Sequence, residues 1–305
     1  MRRTYAESRS SALSCQNNME FRRYSDDDYE ALCDFLIELN RDDKSHINWN
    51  WARFEWMYEH PEFDRSLKNS IGLWLDNGKV AGAAVYDMYF GEAFCAAARG
   101  YDELYPEILS YAYNELSDES GLGVAICDDN KYEIEDAESC GFTVAEQTET
   151  MMSVMLDREL EVNLPVGFSF ERLDPAEQPC DFQWLLWQGF DHGVDRAEFE
   201  RCEKIVPQVR AHFNPYLSVA VVNESGEKLA YCCLWYSDKT DYAYVEPVCT
   251  IPSYRGMGLS KAVIHEALNR ARSLGAVKAY VLSDMDFYRK LGFKEEKHFT
   301  FWWKE

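Results

Sequence analysis

The chain has 305 residues, 47% of them hydrophobic and 28% charged, with few Gly and Pro, a globular composition long enough for about two domains that excludes general disorder. Lys and Arg number 31 against 54 Asp and Glu, a formal net charge of −23, and such a surface repels phosphate backbones, which argues against nucleic acid as a partner. The same acidity either suits a cationic acceptor, such as a polyamine, an aminoglycoside or a basic peptide, or serves solubility alone.

In chain order, residues 1–18 are polar, carry Arg2, Arg3 and Arg9, and lack the apolar stretch of a signal peptide, so a flexible tail is expected there. No run of about eighteen apolar residues occurs, so no membrane span is expected. Phe21 to Ser25 followed by three aspartates reads as a short strand entering a helix. Ile71 to Leu75, the turn Asp76-Asn77-Gly78-Lys79 and Val80 to Tyr86 read as strand, tight turn, strand. Glu138-Ser139-Cys140-Gly141-Phe142-Thr143 then leads into an alternating strand ending near Leu156.

About 150 residues later the same signals return in the same order. Phe170 to Pro175 repeats the first. Leu217 to Val222, the turn Asn223 to Glu227 and Leu229 to Tyr236 repeat the hairpin, and Lys290-Leu291-Gly292-Phe293-Lys294 leads into a strand ending at Trp303. Three anchors in register predict a duplication, with a boundary around Asp157 to Pro165, where Asn163-Leu164-Pro165 reads as a linker. The expected division is a tail over 1–18, one domain over 19–160 and a second over 165–305. Each copy orders as strand, helices, antiparallel strands, helix, strand, helix, strand. The fold class is therefore α/β or α+β, with helices flanking a mixed, mostly antiparallel sheet.

Ten Cys are scattered without C-x-x-C spacing or a helical His pair nearby, so no metal site is expected. In Tyr231-Cys232-Cys233-Leu234-Trp235 the thiols read as small buried hydrophobes, and a reducing, cytoplasmic setting fits.

The second copy carries the chemistry. Tyr242 to Thr250 is an apolar strand holding one carboxylate, Glu246, and Pro247, whose missing N–H predicts an edge, a bulge or a splay. Ile251-Pro252-Ser253-Tyr254-Arg255-Gly256-Met257-Gly258-Leu259-Ser260 follows and opens a helix, whose apolar positions Leu259, Val263, Ala267, Ala271 and Leu274 predict the buried face, with Gly275 as C-cap. Two glycines ahead of a helix let the backbone approach a ligand, and the free N–H groups and helix dipole suit phosphate, with Arg255 as a donor fork. The spacing is neither a Walker motif nor the dinucleotide fingerprint, since Lys261 stands where the third Gly belongs. After a strand over Lys278 to Leu282 comes Ser283-Asp284-Met285-Asp286-Phe287-Tyr288-Arg289-Lys290-Leu291-Gly292-Phe293. There Asp286 is expected to cap a short helix that Gly292 ends.

Taken together, Glu-Pro-Val-x-x-x-Pro-x-Tyr-Arg-Gly-x-Gly-Leu, then helix, strand and Phe-Tyr-Arg-Lys-Leu-Gly-Phe resembles the GNAT superfamily of N-acetyltransferases, most closely over Leu217 to Trp303. The duplicated layout resembles the superfamily's tandem members, two GNAT-like domains of which the first is degenerate. The resemblance implies acetyl-CoA as cosubstrate and direct attack of an amine on the thioester. It implies that amides of Arg255, Gly256, Met257, Gly258, Leu259 and Ser260 hold the pyrophosphate and that Val248, Cys249 and Thr250 pair with the pantetheine arm. Ser260 replaces the usual Gly or Ala. The Asn often found before the last helix is missing, and Ser283 or Asp284 occupies that region.

By the same resemblance Tyr288 is expected as the general acid for the departing thiolate and Glu246 as the general base; the alternatives are a structural aromatic for Tyr288, and for Glu246 a carboxylate turned to solvent or one that only binds the acceptor's ammonium. Trp187, Phe190, Asp191 and His192, with Trp184, form a candidate acceptor wall, although two Trp at i, i+3 equally fit a core stripe. The first copy reads Ala98-Arg99-Gly100-Tyr101-Asp102-Glu103 where the glycine loop belongs, and its carboxylates would repel a pyrophosphate, so a structural or acceptor-shaping role is expected. The functions in view are an N-acetyltransferase for a small-molecule or peptide amine, a non-catalytic acyl-CoA sensor, or an interaction scaffold.

Overall fold

The computed structural model describes residues 19–60, 62–201 and 212–305, so the expected tail over 1–18 lies outside the described residues. The described residues form two compact units, and neither is continuous in sequence. The first comprises 19–51, 62–149 and 297–305, and the second 52–60, 150–201 and 212–296. These differ from the linear division at 157–165 in three exchanges: the last strand of the chain counts with the first unit, and both a helix segment from the N-terminal half and residues 150–156 count with the second.

The chain runs β1 (Met19–Arg23), α1 (Tyr29–Leu39), α2 (Trp51–Glu59), β2 (Gly72–Asp76), β3 (Lys79–Asp87), β4 (Tyr89–Ala97), α3 (Tyr105–Leu116), β5 (Leu122–Cys127), α4 (Lys131–Ser139) and β6 (Thr143–Met155). It continues with β7 (Phe168–Arg172), α5 (Pro179–Gly189), α6 (Arg196–Arg201), β8 (Ser218–Asn223), β9 (Lys228–Tyr236), β10 (Tyr242–Thr250), α7 (Leu259–Ser273), β11 (Lys278–Leu282), α8 (Asp286–Lys290) and β12 (Lys294–Lys304).

The first unit's strands lie in the order β1-β2-β3-β4-β5-β12 and the second's in the order β7-β8-β9-β10-β11-β6. In each, one pair is parallel, β4 with β5 and β10 with β11, and the other neighbours are antiparallel. The same mixed sheet is thus built twice, as the repeated signals require. The hairpin turn between β2 and β3 is closed by Asn77 at φ 50° and Gly78 at φ 79°. Two successive positive φ values match the right-handed strand twist, so this pair of residues sets the register there.

β3 and β9 are buried along almost their whole length, as central strands covered on both faces must be. In the second unit α7 covers one face with Leu259, Val263, Ala267 and Ala271, all buried. Leu274, expected on that face, is 42% exposed. The helix has already ended at Ser273, and Gly275 at φ 115° carries the chain away, with the Ala276 N–H bonding the Ala271 carbonyl at 3.1 Å. The linker before β7 is tied along α7, where the Asn269 side chain bonds both backbone groups of Leu160 and His265 Nδ1 lies 2.7 Å from the Glu161 carbonyl oxygen.

At α8 the expectation of an Asp286 cap is corrected. Met285 is the N-cap, and Asp286 is the first helical residue, paired with Arg289 at 3.0 Å. A carboxylate inside the first turn serves the helix dipole as well as a cap would. Gly292, at φ 95°, ends the helix as expected. Cys232 and Cys233 are buried and unbridged. No helix among the described residues is long and apolar enough to cross a membrane.

Two expectations follow from these contacts. A Cβ added at Gly189 would lie 2.5 Å from Cys249 Sγ and 2.6 Å from its Cβ, so Gly189→Ala should lower the stability of the protein by about 1–3 kcal/mol in denaturant titration despite the better helix propensity of Ala. Residues 165–305 expressed alone would lack Met151–Met155, which pair β11, and carry Lys297–Glu305 without its β5 partner. That fragment should be aggregated or non-cooperative in unfolding, whereas the full chain should unfold cooperatively.

Candidate active site

The site is organised by a break in β10. Its ladder with β9 runs to the pair Val245 with Leu234, then resumes at Val248 with Cys232. Glu246 and Pro247 sit in the break, and the peptide bond between them is cis. Pro247 has no N–H to give the ladder, and a bulge re-aims the side chains inside it. On its other edge β10 pairs β11 only from Tyr242 to Tyr244. From Val245 to Thr250 the two parallel strands diverge, which leaves a strand edge open beside Val248, Cys249 and Thr250. The expected splay is therefore present at Pro247. The Glu246 carbonyl, out of register at the bulge, accepts a hydrogen bond from Trp235 Nε1 at 2.8 Å.

Glu246 is half-buried by surface area but closely surrounded by protein, and the burial pushes its carboxyl up to about 7, against the attraction of the Arg53 guanidinium. Tyr288, on α8, is only 8% exposed. Its ring is held edge-on by Phe287 at 5.2 Å and Phe293 at 5.5 Å. Burial first, then the Glu246 charge and Cys232, raise its phenol above the usual range, so it stays protonated across physiological pH. The fold thus brings the two sequence candidates, 42 residues apart in numbering, into electrostatic reach of each other.

The glycine turn follows directly. Gly256 at φ 78° and Gly258 at φ 84° are both left-handed, and a Cβ built on either meets nothing within 4 Å. Space is open above the turn, and glycine is required by the backbone angle and not by crowding. Gly258 is the N-cap of α7, a 15-residue helix, and offers no side-chain cap. The first intrahelical bond comes from Ala262 to the Gly258 carbonyl, so the amides of Leu259, Ser260 and Lys261 lack helical partners. An open cradle of amides at a positive helix end fits a diphosphate. Leu259 is buried beneath it and Met257 is exposed. Ser260 Oγ lies 2.7 Å from Thr250 Oγ1, which locks the helix start to the end of β10.

Arg255 is more committed than its sequence context suggests. Its Nε donates to the Thr250 carbonyl at 3.0 Å, and Nη2 donates to the Gly189 carbonyl at 2.9 Å and to Asp191 Oδ2 at 3.0 Å. The residue staples β10, the end of α5 and Asp191 two residues beyond it, leaving Nη1 as the group able to turn to an anion.

The predicted acceptor wall divides. Asp191, at φ 63°, is paired with Arg255 beside the glycine turn. Trp187 packs against His192 at 5.2 Å and Phe199 at 5.8 Å, and Trp184 packs against Phe199 at 5.2 Å under the Arg196 guanidinium at 5.1 Å. These aromatics form a cluster around α6. Phe190 is 46% exposed. Ser283 donates its N–H to the Thr150 carbonyl, and its hydroxyl accepts from the Met285 N–H. The Asp284 carbonyl accepts from Arg289 Nη1.

Residues not singled out from sequence also enter the site. Arg53 and Glu55 are buried in α2, whose Ala52, Phe54, Met57 and Tyr58 are apolar and buried as well. Two charges inside an apolar helix were the available signal. Trp235 gave none, because its role depends on which strand lies beside β10.

In the first unit the corresponding turn has one left-handed glycine, Gly100 at φ 90°, before α3. A cavity of about 860 Å3 opens there, walled by Glu38, Asp43, Asp76, Asp102, Glu133 and Asp136 among others. Lys79, Arg99 and His46 are its basic lining residues. Glu133 is held by His46 Nε2 at 3.0 Å. Carboxylates outnumber the basic groups in this lining, which disfavours a pyrophosphate there.

Residues 180–293 match the Acetyltransferase (GNAT) family. No curated protein matches the chain. Among solved structures it is similar to a tandem GNAT protein from the clavulanic acid biosynthesis pathway, with a TM-score of 0.61 and 15% identity over 93% of this chain and 98% of that one. It is also similar to a GCN5-related N-acetyltransferase from Sphaerobacter thermophilus, with a TM-score of 0.56 and 13% identity over 96% and 97%, and to a GNAT-family acetyltransferase from Colwellia psychrerythraea, with a TM-score of 0.53 and 15% identity over 94% and 100%. At these identities the likeness is one of fold, and it extends over both units. The chain therefore has the tandem GNAT fold, and its residues 180–293 match the model of the GNAT acetyltransferase family.

Proposed function

We propose that the protein is an acetyl-CoA-dependent N-acetyltransferase acting in the cytoplasm on a small-molecule or peptide amine, cationic in keeping with the charge of −23. The observation that carries this reading is the open edge of β10, with Glu246 at one end and the uncapped start of α7 at the other. A diphosphate placed on the amides of Gly256 to Ser260, with Arg255 Nη1 beside it, sets an extended pantetheine arm along Val248, Cys249 and Thr250. There it completes the strand edge in the manner of β-augmentation. The thioester then lies toward the bulge. Ser283 and Asp284, before α8, flank the cofactor in this reading. Trp187, Phe190, Asp191 and His192 serve the acceptor side, with Asp191 shared with Arg255.

The amine nitrogen attacks the thioester carbonyl carbon, and its proton passes to Glu246 directly or through water. A β10 amide stabilises the oxyanion. When the C–S bond breaks, the electron pair stays on sulfur and Tyr288 protonates the thiolate. A carboxyl near 7 is basic enough to accept the proton and still half-ionised at neutral pH. In this reading residues 165–305 supply the catalytic machinery, and the unit formed mainly by 19–160 is non-catalytic, its glycine-turn position being acidic.

Calorimetry should find one acetyl-CoA bound per chain. Arg255→Glu and Gly258→Val should abolish binding, the second because a β-branched residue cannot hold a φ of 84° without strain. Glu246→Gln and Tyr288→Phe should keep binding while kcat, followed by thiol release across an amine panel, falls by about 10²-fold or more. Failure of the wild-type chain to bind acetyl-CoA would sink the reading at its root, and binding without transfer to any amine would leave a sensor.

With an acceptor that is neutral throughout the range, kcat/KM should rise with pH through about 7 as Glu246 loses its proton, and the limb should vanish in Glu246→Gln. The same group acts on stability with the opposite sign. Its folded pKa is raised, so its contribution is full below about 4.5 and declines as pH rises through about 7. The wild-type melting temperature should carry a decrement over that window that Glu246→Gln lacks.

A further inference from the structure

A fully buried carboxylate outside the presumed chemistry requires explanation, because burying a charge is costly unless it is bonded. Glu55, on α2, is 0% exposed. Both its oxygens reach one residue: Oε1 accepts the backbone N–H of His212 at 3.1 Å, and Oε2 lies 2.6 Å from His212 Nδ1. That double contact fixes residue 212 in both position and ring orientation. The next residue, Phe213, packs edge-on against Trp235 at 6.0 Å. Trp235 is 3% exposed, and its indole N–H is the donor to the Glu246 carbonyl in the bulge. Where the ladder is interrupted, this side chain does for Glu246 what a paired strand does elsewhere. Arg53, one position before Phe54 on the same helix, adds the one attractive charge that acts against the burial of Glu246.

We propose that Glu55 is a positioning residue for the general base. It seats His212 and Phe213 against Trp235, and the indole in turn sets the backbone from which the Glu246 carboxyl is presented to the acceptor. The proposal rests on the assignment of Glu246 as base. It gives a physical reason why a segment over 52–60 belongs with the second unit. The segment carries two of the groups that orient and tune Glu246. Around Glu246 itself the titratable and charged neighbours are Arg53 from α2, Tyr288 from α8, and Cys232 and Cys233 from β9. Glu55 acts on none of these through its charge but through the chain of contacts.

The test is a double-mutant cycle in the full-length protein between Glu55→Gln and Trp235→Phe, with His212→Ala as a second entry to the same chain should Glu55→Gln fail to fold. Each variant is checked by its melting curve and by calorimetry with acetyl-CoA. The expected result is acetyl-CoA affinity like that of the wild type, a fall in kcat/KM for the amine of about tenfold or more, and an acid limb displaced from about 7 toward the ordinary carboxylate range as the bulge loosens. The two substitutions should be non-additive, the second costing little once the first is made, because both cut one chain. Full rates and an unmoved limb in folded Glu55→Gln or His212→Ala, or strictly additive effects, would overturn the proposal. If the wild type itself transfers no acetyl group, or Glu246→Gln is fully active, it is the assignment of the base that fails, which the wild-type and Glu246→Gln controls distinguish.

Discussion

The second unit depends on one interrupted ladder. A β-strand inside a sheet has its N–H and C=O groups consumed on both edges and has nothing to offer a ligand. β10 escapes this because Pro247 cannot donate and because β11 pairs with it only as far as Tyr244. The remaining edge is available for pairing, and Glu246 is turned out of the regular alternation. The interruption also creates a debt, since the displaced Glu246 carbonyl must be bonded, and Trp235 reaches across to it from β9. The glycine turn is located by the same strand: Thr250 at its end holds Ser260, and Arg255 holds the Thr250 carbonyl.

The electrostatics are local, against a global background of the opposite sign. In a chain of net charge −23, helix amides, two left-handed glycines and Arg255 coincide at the start of α7. The matching turn of the first unit shows the same topology without that coincidence: one glycine, and a cavity walled by carboxylates. The fold is duplicated, and the two copies differ in the side chains at this turn. The buried charges of the second unit obey a related rule. Glu55 is retained with two bonds to His212, and Glu246 is left under-solvated, which is what raises its carboxyl to about 7.

Much of the architecture was legible because it rests on short-range physics. β10 and β11 have the bounds that alternation and Pro247 suggest, and the Asn77-Gly78 turn, Gly275 and Gly292 adopt the left-handed angles that their positions require. The departures are equally physical. Leu274 continues the helical period in numbering, but the helix has stopped one residue earlier. Asp286 was one residue from the cap position. Asp191 reads as an acceptor group beside aromatics, yet the turn after α5 delivers it to Arg255.

The sequence by itself determined the local elements, the duplication and the phosphate-suited turn, since each is encoded within a few residues by φ preference, periodicity or side-chain type, while the candidate acid and base came from the resemblance to the GNAT superfamily. Only the tertiary structure decided which strand lies beside which. On that depended the completion of the first unit by the last strand of the chain, the arrival of Arg53 and Glu55 from 52–60 in the second, and the bond from Trp235 that holds the bulge. Those relations join residues more than 150 positions apart in the case of Glu55 and His212. They are fixed by packing and by the need to satisfy buried polar groups, and no window along the chain contains them.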